Sequence, residues 1–348
     1  MVGMSGGVDS SVAACLLLRQ GYDVTGVTFK LWDDPAGDSG CCSADDVRDA
    51  AFVCEQLGIP HYVINYKELF REKVVAPFAE EYLHGRTPNP CINCNRYIKF
   101  GAFSHKLKEL GFDLMATGHY ARCGYNDATG RWELRRGIYP EKDQSYVLCH
   151  LTQEQLAMLR LPLGAYSKPQ IRAIAEESGL VVAKKPDSQD ICFVPDGDYA
   201  SFIRSFTGRD YPRGEFVDKS GNVLGEHRGL IGYTVGQRKG LGIALGEPKY
   251  VTALLPDENR VVLGSNEDLM SCELDAKNFN FIAFDDPPAE FRASARVRYR
   301  QAEHPATVRV TGENTVHITF DEPQRAITKG QAVVVYDGDV VIGGGEIC

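Results

Sequence analysis

Met4-Ser5-Gly6-Gly7-Val8-Asp9-Ser10-Ser11, three residues from the amino terminus, orders the rest of the chain. Two adjacent glycines permit a tight turn and bring backbone N–H groups close to a ligand. Ser10 and Ser11 are placed to cap the helix that follows, residues 12–18 extend it as an apolar run, and Gly21 supplies a stop. A glycine turn opening a helix is an anion site. It is not a Walker A loop, because no lysine follows the glycines at the GxxxxGK[ST] spacing. In front of it, Val2-Gly3-Met4 reads as the tail of a first strand, shorter than a buried strand should be. Either the strand is trimmed or the true start lies upstream.

Outward from this loop the pattern alternates. Residues 23–29 predict a second strand, β-branched and flanked by polar residues, and a Gly/Asp/Ser-rich loop follows from Asp33 to Cys42. Ser43-Ala44-Asp45-Asp46 approximates a capping box, and Val47, Ala50, Ala51, Cys54 and Leu57 then recur at helical spacing up to Gly58 and Pro60. A third strand is expected at 61–65, a helix over 67–83, another over 98–110, and a fourth strand at 112–117. This order predicts an α/β fold with a doubly wound parallel sheet, whose ligands lie beyond the carboxyl ends of the strands. The glycine loop, Phe29 and Gly118-His119 all follow strands and should converge on one crevice. Beyond residue 205 short strands and turn pairs take over, with Asp337-Gly338 a strong hairpin signal. The expected division is a catalytic domain at 1–204, a small β-rich central domain at 205–272, and a carboxyl-terminal β-barrel at 273–348.

The 348 residues suffice for two or three domains, and 43% hydrophobic with 24% charged content is ordinary for a soluble protein. A net charge of −9 argues against a protein that coats nucleic acid, though not against a local basic face. No apolar run is long enough to span a membrane. Eleven cysteines without a secretion signal point to a cytoplasmic location and reduced thiols.

Two cysteine sites stand out: Cys91-Ile92-Asn93-Cys94 after Thr87-Pro88-Asn89-Pro90, and Cys192 within Lys185-Pro186-Asp187-Ser188-Gln189-Asp190-Ile191-Cys192-Phe193. A lone CxxC is most simply half a structural zinc site, but no second pair stands at finger spacing. A thioredoxin-like pair would open a helix just after a strand, whereas this one is expected on a loop between helices. Cys41-Cys42 is a vicinal pair without a physical account.

The SGGVDSS string resembles the pyrophosphate loop of ATP-pyrophosphatases, which cleave ATP between its α and β phosphates. With it, TPNPCINCN, ATGHYAR (116–122), KDQSYVL (142–148), DSQDICF (187–193), YTVGQRKGLGI (233–243) and RYRQ (298–301) resemble, in this order, the tRNA-specific 2-thiouridylase family. The resemblance runs through all three domains. It implies adenylation of the 2-oxygen of the wobble uridine with ATP and Mg2+, followed by displacement of AMP by sulfur. Gly3, Met4, Ser5, Gly6, Gly7, Val8, Asp9 and Ser10 would line the phosphates, with Asp9 facing the magnesium. Phe29 would pack on adenine and Gly118 would approach the nucleotide through its backbone. Asn89, Pro90 and Cys91 would border the uridine, flipped out of the anticodon stem-loop.

The resemblance further implies that Cys192 carries a persulfide from a cysteine desulfurase or sulfur-relay protein, with Cys94 as the partner thiol. Cys94 would attack either the persulfide, releasing sulfide, or the disulfide of the thiolated adduct, freeing the product, and either route ends in a Cys94–Cys192 disulfide. Many members of the family have aspartate where this chain has Cys91. That departure adds a further expectation, a [4Fe–4S] cluster on Cys91, Cys94 and Cys192, as related thiolation enzymes hold. His119, Lys142, Asp143, Gln144, Arg298, Tyr299 and Gln331 would contact tRNA, with His119 equally readable as a backbone-bonded strand-end residue.

Arg292, Arg296, Arg298 and Arg300 are all even-numbered, so an extended strand would set them on one face as a phosphate-contacting stripe. A solvated strand face is the plainer reading of such a run. The enzymatic rival is an amidating ligase of the GMP synthetase type, which shares the glycine loop but has no use for Cys94 and Cys192. A non-enzymatic rival is a metal-binding RNA adaptor.

Overall fold

The computed structural model of the chain describes residues 1–32, 44–186 and 191–348. Cys41-Cys42, Ser43 of the expected capping box, and Asp187 to Asp190 of the Cys192 motif lie outside the described residues. The first sheet is built from β1 (Val2–Gly3), β2 (Gly26–Lys30), β3 (His61–Asn65) and β4 (Met115–Ala116). After a hairpin of β5 (Ala121–Asn126) and β6 (Arg131–Arg136), β7 (Leu159–Arg160) completes it. The order is β3-β2-β1-β4-β7 and every pairing is parallel. β1 is two residues long, yet it lies in the middle of the sheet.

Both faces of the sheet are covered, as the doubly wound pattern requires. Val27, Phe29 and Leu31 join one core with Phe70, Phe78, Ile98 and Phe103, from the helical runs after β3 and before β4. Val2 and Met4 join another with Val12, Ala13 and Leu16 of α1 (Val8–Arg19) and Ala50 and Val53 of α2 (Ala44–Leu57). Among the described residues no helix is long and apolar enough to cross a membrane.

The second sheet contains β8 (Gly214–Val217), β9 (Val223–His227), β10 (Tyr250–Leu255) and β11 (Arg260–Gly264), in the order β10-β11-β8-β9. The third contains β12 (Met270–Phe281), β13 (Glu290–Arg296), β14 (His304–Gly312), β15 (Thr315–Arg325), β16 (Ala332–Asp337) and β17 (Val340–Ile347). Its order is β12-β15-β14-β13-β16-β17, and pairing of β12 with β17 closes it into a six-stranded antiparallel barrel. The β16–β17 turn, with Gly338 at φ +56°, is the hairpin that Asp337-Gly338 signals.

Four local expectations are corrected. The fourth strand is only Met115–Ala116. The helix expected from residue 98 already starts at Pro90 and widens to π-helical geometry over Cys94–Ala102, so the CINC pair lies on a helix rather than a loop. Pro90 occupies a first-turn position, where a missing N–H is harmless. The arginine strand ends at Arg296, so Arg298 and Arg300 are not on it and no single face gathers the four. Finally, the β5–β6 hairpin of the catalytic region adds to the edge of β17 through Arg135 and Val340, a tie between sheets that sequence spacing did not announce.

Candidate active site

The glycine loop leaves β1 and enters α1 with Gly7, not a serine, at the N-cap. Ser10 and Ser11 lie inside the first turn instead of capping it. Their hydroxyls donate back to the Gly7 carbonyl at 3.2 and 2.8 Å, while Ser10 Oγ accepts from Ser5 N at 3.1 Å. Two other loop carbonyls are also engaged. Thr28 Oγ1 donates to Met4 O at 2.9 Å, and Lys185 Nζ donates to Gly6 O at 3.1 Å. The N–H groups of Gly6, Gly7, Val8 and Asp9, by contrast, donate to no acceptor among the described residues. Carbonyls held outward and N–H groups left open at a helix amino terminus form an anion cradle.

Two glycines make the cradle possible. Gly6 has φ +69°, and a Cβ there would stand 2.3 Å from Asp46 O, so α2 and the loop touch through backbone. A Cβ on Gly118 would stand 2.9 Å from Asp9 C and Ser10 N. The turn after β4 therefore packs directly on the first turn of α1, and the expected convergence of Gly118 with the loop is realised. Asp9 Oδ1 accepts from Tyr120 Oη and from Lys168 Nζ, each at 2.7 Å. Neither residue stood out in the sequence, although Tyr120 follows Gly118-His119 and Lys168 opens a helix whose Ser167 and Gln170 form a capping box. Gly3 lies against Thr117 and Phe29. Phe29 is 7% exposed, with its ring against Phe103 and Tyr66 at 4.9 and 5.6 Å.

Cys94 and Cys192 lie on the other core of the sheet. Asn89 caps the helix that carries Cys91 and Cys94, its Oδ1 accepting from Cys91 N at 3.1 Å. Cys91 is exposed and Cys94 is buried in the same apolar core as Phe193, against which half-buried Cys192 packs. Phe193 anchors that segment among Phe202, Phe78 and Phe70, with centroids 5.2 to 5.7 Å away. Cys94 and Cys192 thus border one core although they are distant in sequence. Among the described residues, no three of His, Cys, Asp and Glu are grouped so as to hold a metal ion. Cys91, Cys94 and Cys192 do not fit an iron–sulfur cluster in this arrangement.

The residues expected at tRNA are distributed differently. His119 is buried, its Nδ1 bonded with Thr117 Oγ1 at 2.8 Å, and burial, aided by Lys99, holds its pKa well below the ordinary range. Asp143 is buried, accepting from Gly137 N, Ser145 N and Ser145 Oγ, with Arg296 at 3.7 Å. Gln144 Oε1 accepts from Tyr120 N at 2.9 Å, so its side chain steadies the Gly118 turn, and Lys142 is half-buried beside it. Gln331 Nε2 donates to Thr87 O at 2.6 Å, and Thr87 N donates to Lys329 O at 2.9 Å. A barrel loop therefore clasps the segment that delivers Asn89, Pro90 and Cys91. Tyr299 packs on Tyr146, and burial and the nearby Asp143 and Cys91 raise its pKa. Arg298 Nη2 reaches Val235 O, Ala326 O and Thr328 Oγ1 at 3.0, 3.2 and 2.5 Å. Arg292 forms a two-pronged pair with Asp321. The expected arginine stripe is replaced by three separate ion and carbonyl contacts.

A doubly wound parallel sheet whose first strand feeds an N–H-lined glycine loop, followed by a small β domain and a closed barrel, defines a nucleotide-using α/β enzyme of the pyrophosphate-loop class. Family profiles match the tRNA methyl transferase HUP domain at residues 1–196, its PRC-barrel domain at 200–265, and the aminomethyltransferase beta-barrel domain at 271–347. The tRNA-specific 2-thiouridylase MnmA of Clostridioides difficile is 53% identical over 350 residues, covering 100% of this chain and 97% of the relative. That of Carboxydothermus hydrogenoformans is 53% identical over 352 residues, covering 100% and 96%. Among solved structures, NMN synthetase from Francisella tularensis overlaps 60% of this chain and 77% of its own at 17% identity, with a TM-score of 0.34. The chain belongs to the tRNA-specific 2-thiouridylase family.

Proposed function

We propose that the protein thiolates carbon 2 of the wobble uridine in tRNA, using ATP to activate the carbonyl oxygen and a cysteine persulfide as the sulfur source. The observation that carries this reading is the pairing of an open N–H cradle with two thiols, Cys94 and Cys192, on one core. Uridine O2 attacks the α phosphorus of ATP and pyrophosphate leaves. The N–H groups of Gly6, Gly7, Val8 and Asp9 and the α1 amino terminus receive the developing negative charge. Magnesium carried by the triphosphate supplies further charge neutralisation, and Asp9 would face it, with Lys168 and Tyr120 holding the carboxylate in place.

The terminal sulfur of a Cys192 persulfide then attacks carbon 2, AMP departs with the former oxygen, and a base–S–S–Cys192 adduct remains. Attack by Cys94 on the Cys192 sulfur releases the 2-thiouridine and leaves a Cys94–Cys192 disulfide, which an external thiol reduces. No step passes through an iron–sulfur cluster. Cys91 and Asn89, at the start of the helix, would border the base. His119, Lys142, Asp143 and Gln144 would shape the tRNA surface by fixing backbone, because His119 and Asp143 are buried and Gln144 holds Tyr120 N. The sulfur donor would be a desulfurase or relay protein.

The test incubates the full chain with tRNA, ATP and a persulfide donor, and reads pyrophosphate and the mass of the wobble nucleoside. Cys192→Ser is expected to keep tRNA-dependent pyrophosphate release and to lose thiolation. Thiolation by that variant at the wild-type rate would remove Cys192 from the role.

A further inference from the structure

The chemistry above makes no use of Lys185, whose ammonium lies where the nucleotide loop, α2 and the segment leading to Cys192 meet. We infer that Lys185 is a positioning residue that sets the orientation of the Gly6–Gly7 peptide. The inference rests on the pyrophosphatase reading of the loop. In a trans peptide the carbonyl and the next N–H point in opposite directions. By holding Gly6 O at 3.1 Å, Lys185 Nζ aims the Gly7 N–H the other way, into the cradle. This peptide needs such a hold, because Gly6 sits at φ +69° and is flanked by a second glycine, so side-chain sterics do little to prevent its rotation. A rotated peptide would present a carbonyl oxygen, rather than a donor, to a triphosphate.

The ammonium is itself fixed by Asp46 Oδ1 at 2.8 Å and Asp49 Oδ2 at 2.6 Å, and these partners raise its pKa against the opposing effect of burial. From the other side Arg172 Nη1 holds the carbonyls of Ala183 and Lys185, both at 3.3 Å. Arg172 belongs to the helix whose first residue, Lys168, reaches Asp9. Two lysines thus fix the two sides of the cradle from one short stretch of chain, and that stretch leads to Cys192 seven residues later. A lysine between two aspartates is most simply a surface ion pair. The third contact, to the carbonyl of a loop glycine, is the one that an ion pair alone does not require.

The experiment measures binding of a non-hydrolysable ATP analogue with Mg2+, and separately of tRNA, to the full chain. Lys185→Met should weaken the analogue about tenfold, the equivalent of one charge-assisted hydrogen bond, and leave tRNA affinity unchanged. Lys185→Arg, which can still donate to Gly6 O, should stay within about threefold of wild type. Analogue affinity unchanged in Lys185→Met overturns the inference, and so does an equal loss of analogue and tRNA binding, which would mark a general structural role. Should Lys185→Met not fold, Asp49→Asn serves instead, since it loosens the ammonium without removing it. Its analogue affinity should fall about threefold, and an unchanged value is again fatal. Failure of the wild-type chain to bind the analogue would overturn the pyrophosphatase reading itself, separating the two outcomes.

Discussion

His150 shows how one side chain ties burial to pH. It lies just after the Lys142–Cys149 segment, with its Nδ1 buried and without a hydrogen-bond partner among the described residues. Burial, aided by the charge of Arg96, lowers its pKa from 6.5 to about 4. Below pH 6.5 the unfolded chain takes up a proton that the folded chain refuses, so stability is lost as the pH falls from 6.5 toward 4 and is flat above 7. For this residue the loss between pH 7 and pH 5 comes to about 2 kcal/mol. His119 is shifted in the same direction by the same cause, so the wild-type slope exceeds that of one histidine. His150→Gln removes one titrating group. Its urea midpoint should therefore fall less than that of wild type between pH 7 and pH 5, and a stability difference constant across that range would show that His150 is not held neutral.

At the scale of elements, the site depends on two backbones meeting where side chains would not fit. The turn after β4 rests on the first turn of α1, with Gly118 at the contact. Gly118→Ala places a Cβ 2.9 Å from the backbone of Asp9 and Ser10, and neither side of that contact can yield without moving the cradle. Displacement on the scale of an ångström at a reacting group costs about a hundredfold in rate. Gly118→Ala should lower tRNA-dependent pyrophosphate release by about that factor while the barrel stays folded, and near-normal release would show that the contact is not needed. The strand–helix alternation, the glycine loop and the hairpin at Asp337-Gly338 were legible because each is written in residues adjacent in sequence. Tyr120 and Lys168 were not, because their meaning lies in a shared partner, Asp9, distant in sequence from both. The arginine stripe failed for a related reason. Even spacing says which face a residue takes only while the strand lasts, and β13 stops at Arg296.

Across the whole molecule, the barrel is tied to the catalytic region and to the central region by side chains that the sequence had assigned to tRNA. Gln331 holds Thr87 O, and Arg298 joins Val235 of the central region to Ala326 and Thr328 of the barrel. Burial lowers the pKa of the half-buried Arg298 guanidinium. A side chain that neutralises a phosphate contributes about one to the slope of log affinity against log salt, and its removal lowers that slope. A side chain that sets the angle between two tRNA-bearing surfaces weakens binding at every salt concentration and leaves the slope alone. Arg298→Ala is therefore expected to weaken tRNA binding with an unchanged slope, to cost about 1–3 kcal/mol of stability through the carbonyls it abandons, and to speed amide exchange near Val235. Arg298→Lys should not restore binding, because a single ammonium cannot span the carbonyls and the hydroxyl that one guanidinium reaches. A slope lowered by about one would instead put the guanidinium on a phosphate, and would require this clamp between the barrel and the central region to open when tRNA arrives.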